Sequence, residues 1–498
     1  MIRDRVSAAL CFVLGSVVSA AAQSPDVTWP QFRGPDASGV ATSAVSPPIE
    51  FSATKNQLWK TALPAGHSSP AIWRDRIFVT AVDAATKTLE TIALDRPSGQ
   101  IVWRQATTVE QLERVHAIGN AATATPAVDG ERVYAYFGSY GLIAYDMDGK
   151  VVWQAPMAVV QHNFGSGTSP VVAGELVLLN RQEPKDPFIL AVDRKSGKEV
   201  WKRQYQVPPG LPSGYASYST PLIVGRQVIV HGMTRLEAFD LASGETTWWV
   251  AISSTGTSSP IMAGDTIYVA TWSPFGEADQ RGTLPDFETL LKSDKDGNGT
   301  INRDEVPASV NIFSRPETPD VPGATYSVKA AFARFDANKD GELQKEEWEV
   351  GQKVVSSLKI EHGLLAVKLG GSGDVTATHV LWKEKTSIPE VPSPLAYQNK
   401  VYMVRNGGIL TCMEAATGKV LYKGRVGAPG PYFSSPIAVN GRLFVTSGDG
   451  VVTVLGTGDT LEVLAKNDLG EEIKATPAVA GGVLYIRTAS GLAAFGQR

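Results

Sequence analysis

Apolar and polar positions alternate along this chain in short runs, each run cut off by glycine or proline. The segment Thr168–Gln204, TSPVVAGELVLLNRQEPKDPFILAVDRKSGKEVWKRQ, shows the pattern in full. PVVA and LVLLN flank a turn at Gly174, FILAVD follows a polar loop, and EVWKRQ, carrying Trp201, follows the turn Arg194-Lys195-Ser196-Gly197. This predicts four short strands in one antiparallel meander. Such a unit cannot bury both of its faces alone and needs neighbours of the same kind.

The chain supplies them. A hydroxyl-proline pair opens eight units, at Ser69-Pro70, Thr125-Pro126, Ser169-Pro170, Thr220-Pro221, Ser259-Pro260, Ser393-Pro394, Ser435-Pro436 and Thr476-Pro477. The closing half also recurs, ending at Trp103, Trp153, Trp201, Trp248 and Tyr422. Proline cannot donate to a ladder and suits an edge strand, here the innermost strand of a blade facing a channel. The late tryptophan suits the space between adjacent blades. Together these predict an all-β, eight-bladed β-propeller over residues 56–498. Gln57-Leu58-Trp59-Lys60 resembles only the last strand of a unit, and residues 476–498 have room for about three strands. The two fragments are expected to form one blade and close the ring.

One spacing breaks the rhythm. Pro221 to Pro260 is 39 residues and Pro394 to Pro436 is 42, but Pro260 to Pro394 is 134. About ninety residues are therefore extra in blade five, judged against the blade period. They fall between its second and third strands, with an inserted domain expected at 280–360. There the period changes from two to helical. Helices are expected at 286–293, over TYSVKAAFARF (325–335) and after 347. Two acidic stretches, DKDGNGTINRDE and DANKDGELQKEE, each fit the twelve-residue EF-hand calcium loop.

Calcium takes six to eight oxygens, and a short loop must wrap them around one point. In the first loop the expected ligands are Asp294, Asp296, Asn298, the carbonyl of Thr300 and the bidentate Glu305. In the second they are Asp336, Asn338, Asp340, the carbonyl of Glu342 and Glu347. Gly299 and Gly341 hold the sharp turn, Asn302 and Gln344 act through water, and Ile301 and Leu343 can pair across a ribbon between the loops. Two ions per chain are expected.

The termini and charge narrow the setting. Residues 1–22, two arginines followed by a short apolar run and Ala20-Ala21-Ala22, read as a signal peptide, so a periplasmic or secreted protein is expected. Removing them takes away a net +1, so the formal charge of −4 becomes −5, which gives no reason to expect nucleic acid. The mature chain has no transmembrane candidate. Its one remaining cysteine, Cys412, cannot form an internal disulfide. Residues 23–55 read as an irregular lead-in packed on the outside or rim of the ring.

The Ser-Pro-initiated units closing in A-x-D-x-x-[ST]-G-x-x-x-W resemble the pyrroloquinoline-quinone (PQQ) repeat family. The WPQFRGPDASGV lead-in and EF-hand insertion resemble an exported bacterial subgroup of it. The resemblance implies an eight-bladed propeller and two kinds of relative, quinoprotein alcohol dehydrogenases and a lipoprotein that assists outer-membrane barrel assembly. The dehydrogenases pair adjacent cysteines over the cofactor, and Cys412 stands alone. Their catalytic aspartate and calcium-binding Glu and Asn match no motif here, so no catalytic or PQQ-binding residue is assigned. Asp95, Asp146, Asp193 and Asp240 belong to the repeated turn and are structural.

In a four-strand meander the second-to-third loop and the blade-to-blade loop emerge on one side. His67, His116, Asn120, His162, Asn163, Tyr215, Tyr218 and Tyr432 are therefore expected at the channel mouth, on the calcium face. The sequence is read as an exported calcium-binding propeller acting as a binding or scaffold protein, with an unidentified protein or small-molecule ligand at that mouth. The alternative is a PQQ-dependent quinoprotein oxidoreductase using the same face.

Overall fold

The computed structural model describes residues 27–497 except 163, 208–215, 319–320, 322 and 359; the segment expected to be a signal peptide lies outside them. The protein is an eight-bladed β-propeller. Blade three shows the common plan: Val171–Ala173, Leu176–Arg181, Phe188–Asp193 and Glu199–Gln204 pair in sequence order. The last blade takes its outermost strand from the other end of the chain. Gln57–Ala62 lies antiparallel to Gly491–Phe495, with Gln57 opposite Phe495 and Ala62 opposite Gly491.

The recurrent hydroxyl has a structural task. The Ser69 backbone N–H donates to Thr125 Oγ1 at 3.0 Å, Thr125 to Ser169 Oγ at 3.0 Å, and Ser169 to Thr220 Oγ1 at 3.1 Å. Thr220 continues to Ser259 at 2.9 Å, Ser259 to Ser393 at 2.9 Å, and Ser393 to Ser435 at 3.0 Å. Ser435 donates to Thr476 at 3.0 Å and Thr476 back to Ser69 at 3.0 Å. Eight links close a belt around the channel. Each satisfies a buried backbone N–H that no blade ladder serves.

The repeated tryptophan joins blade to blade at larger radius. Trp103 Nε1 donates to Met147 O at 3.0 Å, Trp153 to Arg194 O at 2.9 Å and Trp201 to Leu241 O at 3.0 Å, each in the next blade's last turn. The motif glycine of that turn sits on the ring. At Gly197, where φ is +70°, an added Cβ would lie 2.6 Å from Trp153 Cδ2, so both the backbone and the space require glycine. Trp248 departs from the rule and pairs with Gln227 Oε1 at 3.3 Å. The third-to-fourth connection of blade five leaves its own blade, and Gly373–Asp374 runs parallel to the outer strand of blade four, with Trp248 opposite Gly373. Trp153→Ala should cost about 3–5 kcal/mol, through cavity and lost contacts together. A lowered urea midpoint would check it.

The lead-in is not on the rim. Thr28–Trp29 pairs with the innermost strand of blade one, and Val40–Ala41 runs parallel to that of blade seven. Val128 N–H of blade two reaches Pro30 O at 2.8 Å, Arg33 Nη2 donates to Pro394 O of blade six at 2.8 Å, and Ala37 packs with Leu222 of blade four. Residues 28–41 therefore plug the channel. Trp29 and Arg33 are fully buried there. The apolar Trp29 and the unpaired inner strands supply a better partner for this segment than solvent does. From the plug the chain emerges opposite the mouth at the first turn of blade seven and then runs along that blade's outer strand. Asn440 Nδ2 donates to Ser43 O at 2.8 Å, and Asn467 Oδ1 accepts from Phe51 N–H at 2.8 Å, before the chain enters the closing strand.

In blade five the second strand, Thr266–Ala270, pairs with Leu364–Lys368. The residues between them carry a core of their own, including Phe287, Leu290, Ile301, Phe335, Leu343 and Trp348. Phe287–Leu290 and Lys345–Ser357 are α-helices. The helix expected over 325–335 is not formed. Thr325–Ser327 is a strand paired with Asn311–Ser314, and only Phe332–Arg334 makes a 3-10 turn. The β-branched and aromatic start of that stretch, Thr325-Tyr326, finds a ladder partner, which outweighs its modest helix propensity. No helix among the described residues is long and apolar enough to cross a membrane.

Candidate functional site

Two features stand on the same face of the ring, the acidic loop pair and the channel mouth. In the first loop Asp294 accepts from the N–H groups of Gly297 at 2.7 Å and Gly299 at 2.9 Å. Asn298 Oδ1 accepts from Thr300 N–H at 2.8 Å, and Glu305 from Lys295 N–H at 2.9 Å and Asn302 N–H at 3.1 Å. The Gly299 and Gly297 amides hold the Asp294 carboxyl below the usual range. Gly299, at φ +82°, supplies the turn that wraps these oxygens round. One oxygen each of Asp294, Asp296 and Glu305 lies within 4.8 Å of the others.

The second loop repeats the frame with a difference. Asp336 Oδ2 accepts from Gly341 N–H at 3.1 Å, and Glu347 from Ala337 N–H at 2.9 Å and Gln344 N–H at 3.2 Å. Asp340 Oδ2 accepts from the amides of Asn338 and Gln344, both at 2.9 Å, and its carboxyl is held low, chiefly by the Glu342 N–H. Asp336 Oδ1 is buried with no hydrogen-bond partner among the described residues. The loops are joined: Ile301 pairs with Leu343 and Asn302 with Glu342, and Thr300 Oγ1 donates to Glu342 Oε2 at 2.9 Å. This set is all oxygen, largely anionic and already oriented by backbone N–H groups. It can hold a hard divalent cation.

The mouth is a cavity of about 400 Å³. Belt hydroxyls and the plug residue Phe32 line it, together with His67, His116, His162, Phe164, Tyr218, Glu390, Phe433 and Lys474. The three histidines thus meet as expected. Tyr218 Oη lies 2.6 Å from His162 Nδ1, and the His116 and Phe164 rings are 5.0 Å apart. Burial, Lys474 and Arg487 push the His67 imidazole down to about 3, so it is neutral. Asn163 and Tyr215 lie outside the described residues. Two expectations fail. Asn120 turns inward to cap Ala122 N–H at 2.8 Å, and Tyr432 is 1 % exposed with its hydroxyl on Ala428 O, leaving its neighbour Phe433 at the mouth.

The insertion reaches this opening. Arg315 pairs with Glu390 on the cavity wall, its Nε 2.7 Å from Glu390 Oε2, and lies over the Trp272 and Phe313 rings. A Cβ on Gly323 would be 3.6 Å from His116 Nε2. Arg405 of blade six braces the same segment through Glu317 and Asp279.

Behind the aromatic wall Glu113 is buried and accepts from Ser166 N–H at 2.6 Å and Ser166 Oγ at 2.9 Å. Burial raises its carboxyl to about 7. No motif marks this residue in the sequence. A raised acid pKa means that ionisation opposes folding, so its stabilising share is full below about pH 4.3 and is lost as pH rises through about 7. Glu113→Gln should therefore gain stability relative to the parent at pH 8, by roughly 3 kcal/mol, and little at pH 5. Urea denaturation at the two pH values checks this.

Comparison with known proteins bears on both features. The family model described as outer membrane protein assembly factor BamB matches residues 43–284 and 372–492, and the model described as EF hand matches 328–350. The gap in the first match coincides with the insertion. No curated protein matches the sequence. Among solved structures, BamB from Moraxella catarrhalis is similar at a TM-score of 0.51 and 14% identity, covering 88% of this chain and 98% of its own. A europium-containing methanol dehydrogenase gives 0.53 and 13%, covering 94% of this chain and 90% of its own. The quinohemoprotein alcohol dehydrogenase from Comamonas testosteroni gives 0.53 and 14%, covering 96% and 82%. At such identities the likeness is one of fold.

Proposed function

The chain belongs to the PQQ-repeat propeller family whose model is described as outer membrane protein assembly factor BamB, and from that premise we propose that it is an exported, calcium-binding binding or scaffold protein. The observation that carries this reading is the placing of the acidic loops on an insertion that grips the channel mouth through Arg315 and Glu390. Asp294, Asp296, Asn298, Glu305 and the Thr300 carbonyl would hold one calcium ion. Asp336, Asn338, Asp340, Glu347 and the Glu342 carbonyl would hold a second. The orphaned Asp336 Oδ1 and the convergent oxygens of the first loop fit such an ion. Calcium, when bound, supplies charge that holds these carboxylates together. The helices and ribbon they anchor then fix the segment beside the mouth.

Hydrogen exchange with and without chelator tests the reading. Protection should fall within 280–360 and in the loops around His67, His116 and His162, while the blade strands stay protected by their own cores. Loss across all eight blades would show that calcium builds the ring itself. No change in the histidine loops would separate the ion from the mouth.

The PQQ oxidoreductase reading uses the same mouth, and the residues there do not fit that group. The quinone carries three carboxylates. Lys474 is the one Lys or Arg side chain among the described residues lining the cavity, it is already paired with Glu472 at 3.0 Å, and Cys412 is fully buried in blade six. Purified protein with PQQ, calcium and a redox dye should show no turnover with alcohols or sugars. Sustained dye reduction would establish the enzyme instead.

A further inference from the structure

The belt has a second side. Each of its eight hydroxyl oxygens accepts a backbone N–H. None of the eight O–H groups donates to any described residue. All but that of Thr220 line the mouth cavity. A hydroxyl that accepts a hydrogen bond is polarised to donate one, and here the donors converge on a common floor.

Two buried guanidinium groups lie close behind the belt. Arg33 sits directly under the belt, joined to Pro394 O at 2.8 Å beside belt residue Ser393. It is fully buried, makes no ion pair among the described residues, and its Nη1 has no partner. Arg487 is 2 % exposed and, among the described residues, has no carboxylate partner and bonds only to Pro64 O at 3.0 Å and weakly to Ser68 Oγ at 3.5 Å. Burial lowers both guanidinium pKa values, to about 9 and about 10, so both remain cationic at neutral pH. An uncompensated buried charge is costly, and although neither guanidinium lines the cavity itself, the field of both favours an anion over a cation there. Lys474 lines the cavity on the Arg487 side, next to the neutral His67, and pairs at 3.0 Å with the more exposed Glu472, with which an anion in the cavity would have to share it. The opposite wall has the aromatic rings of Phe164 and Tyr218, with Glu113 behind Ser166.

We propose that the His67–Lys474 wall and the belt hydroxyls form an oxyanion site, which takes a single carboxylate or phosphate-type group of a ligand whose apolar part lies against Phe164 and Tyr218. The site deepens the binding-protein reading above and rests on it. It offers donors for one anionic group on one wall, in contrast to the three separated carboxylates of PQQ. Among ligands of one size, those with a terminal anion should therefore be preferred.

The test follows the His67 imidazole signal of the full-length mature protein, assigned by its loss in His67→Gln. Sulfate and acetate are titrated at constant ionic strength against chloride. Saturable shifts are expected with sulfate, acetate or both, and with chloride only a weak linear drift. Saturation by sulfate alone assigns a tetrahedral oxyanion, and by acetate alone a carboxylate. Lys474→Met should raise the half-saturation concentration about tenfold, and Lys150→Met, on an exposed turn of blade two, should leave it unchanged. A linear response to both oxyanions, or an unaltered midpoint in Lys474→Met, overturns the site. If calcium binding and its effect on the histidine loops persist in that case, the scaffold reading stands and the oxyanion alone falls.

Discussion

A chain that begins at residue 65 should lose cooperative melting. It lacks Gln57–Ala62, so Gly491–Phe495 becomes an open edge, and it lacks Trp59, whose Nε1 donates to Arg96 O at 3.0 Å in blade one. It also lacks the plug. Ile72, Ile437 and Ala478, which share a core with Trp29, then border an empty channel. An unpaired strand edge and a lost aromatic wedge each destabilise, and here they fall at the one seam where the two ends of the chain meet. Calorimetry on the shortened and mature proteins checks the expectation. A single transition of unchanged midpoint and enthalpy would show that the ring holds without its closing strand.

The second large effect concerns the loop carboxylates. Glu305→Gln and Glu347→Gln should each remove one calcium site or weaken it by at least about tenfold, near 1.4 kcal/mol. The substitution keeps size and one acceptor but replaces a bidentate anion by a neutral amide. Glu305 also holds the N–H groups of Lys295 and Asn302, and Glu347 those of Ala337 and Gln344, so each loop should loosen when its glutamate is changed. Because Thr300 and Glu342 bond across the ribbon, damage to one loop should also lower affinity in the other. Titration calorimetry gives both numbers. Unchanged stoichiometry and affinity in both variants would sink the assignment.

The parts of the fold that repeat were legible in the sequence. Period-two runs, the hydroxyl-proline openings and the late tryptophans announce blades because each copy meets the same neighbours. The EF-hand loops were legible because ion geometry fixes residue types at fixed spacing. The plug was not. Trp29, Arg33 and Ala37 meet blades one, six, seven, eight and four, most of them through contacts far along the chain, and no local period records that. The stretch 325–335 misled because its ladder partner, Asn311–Ser314, is set by tertiary packing. At the mouth, loop position located His67, His116 and His162, but could not tell Tyr432 from Phe433, since one residue's shift reverses which side chain faces the channel. Proline explained the edge strand, while the hydroxyl beside it carried a signal that only the belt makes readable.

The path of the lead-in also sets an order in time. Residues 28–62 find their partners on the inner strand of blade one, on the plug's neighbours in blades six and seven, and finally on Gly491–Phe495 in the last blade. Gln57–Ala62 therefore cannot pair until the Gly491–Phe495 strand is available. Until then Trp59 and its strand lack their partner, and the unclosed ring carries a free edge at each end. Closure is the most non-local pairing in the ring, the kind whose loop-closure cost slows folding.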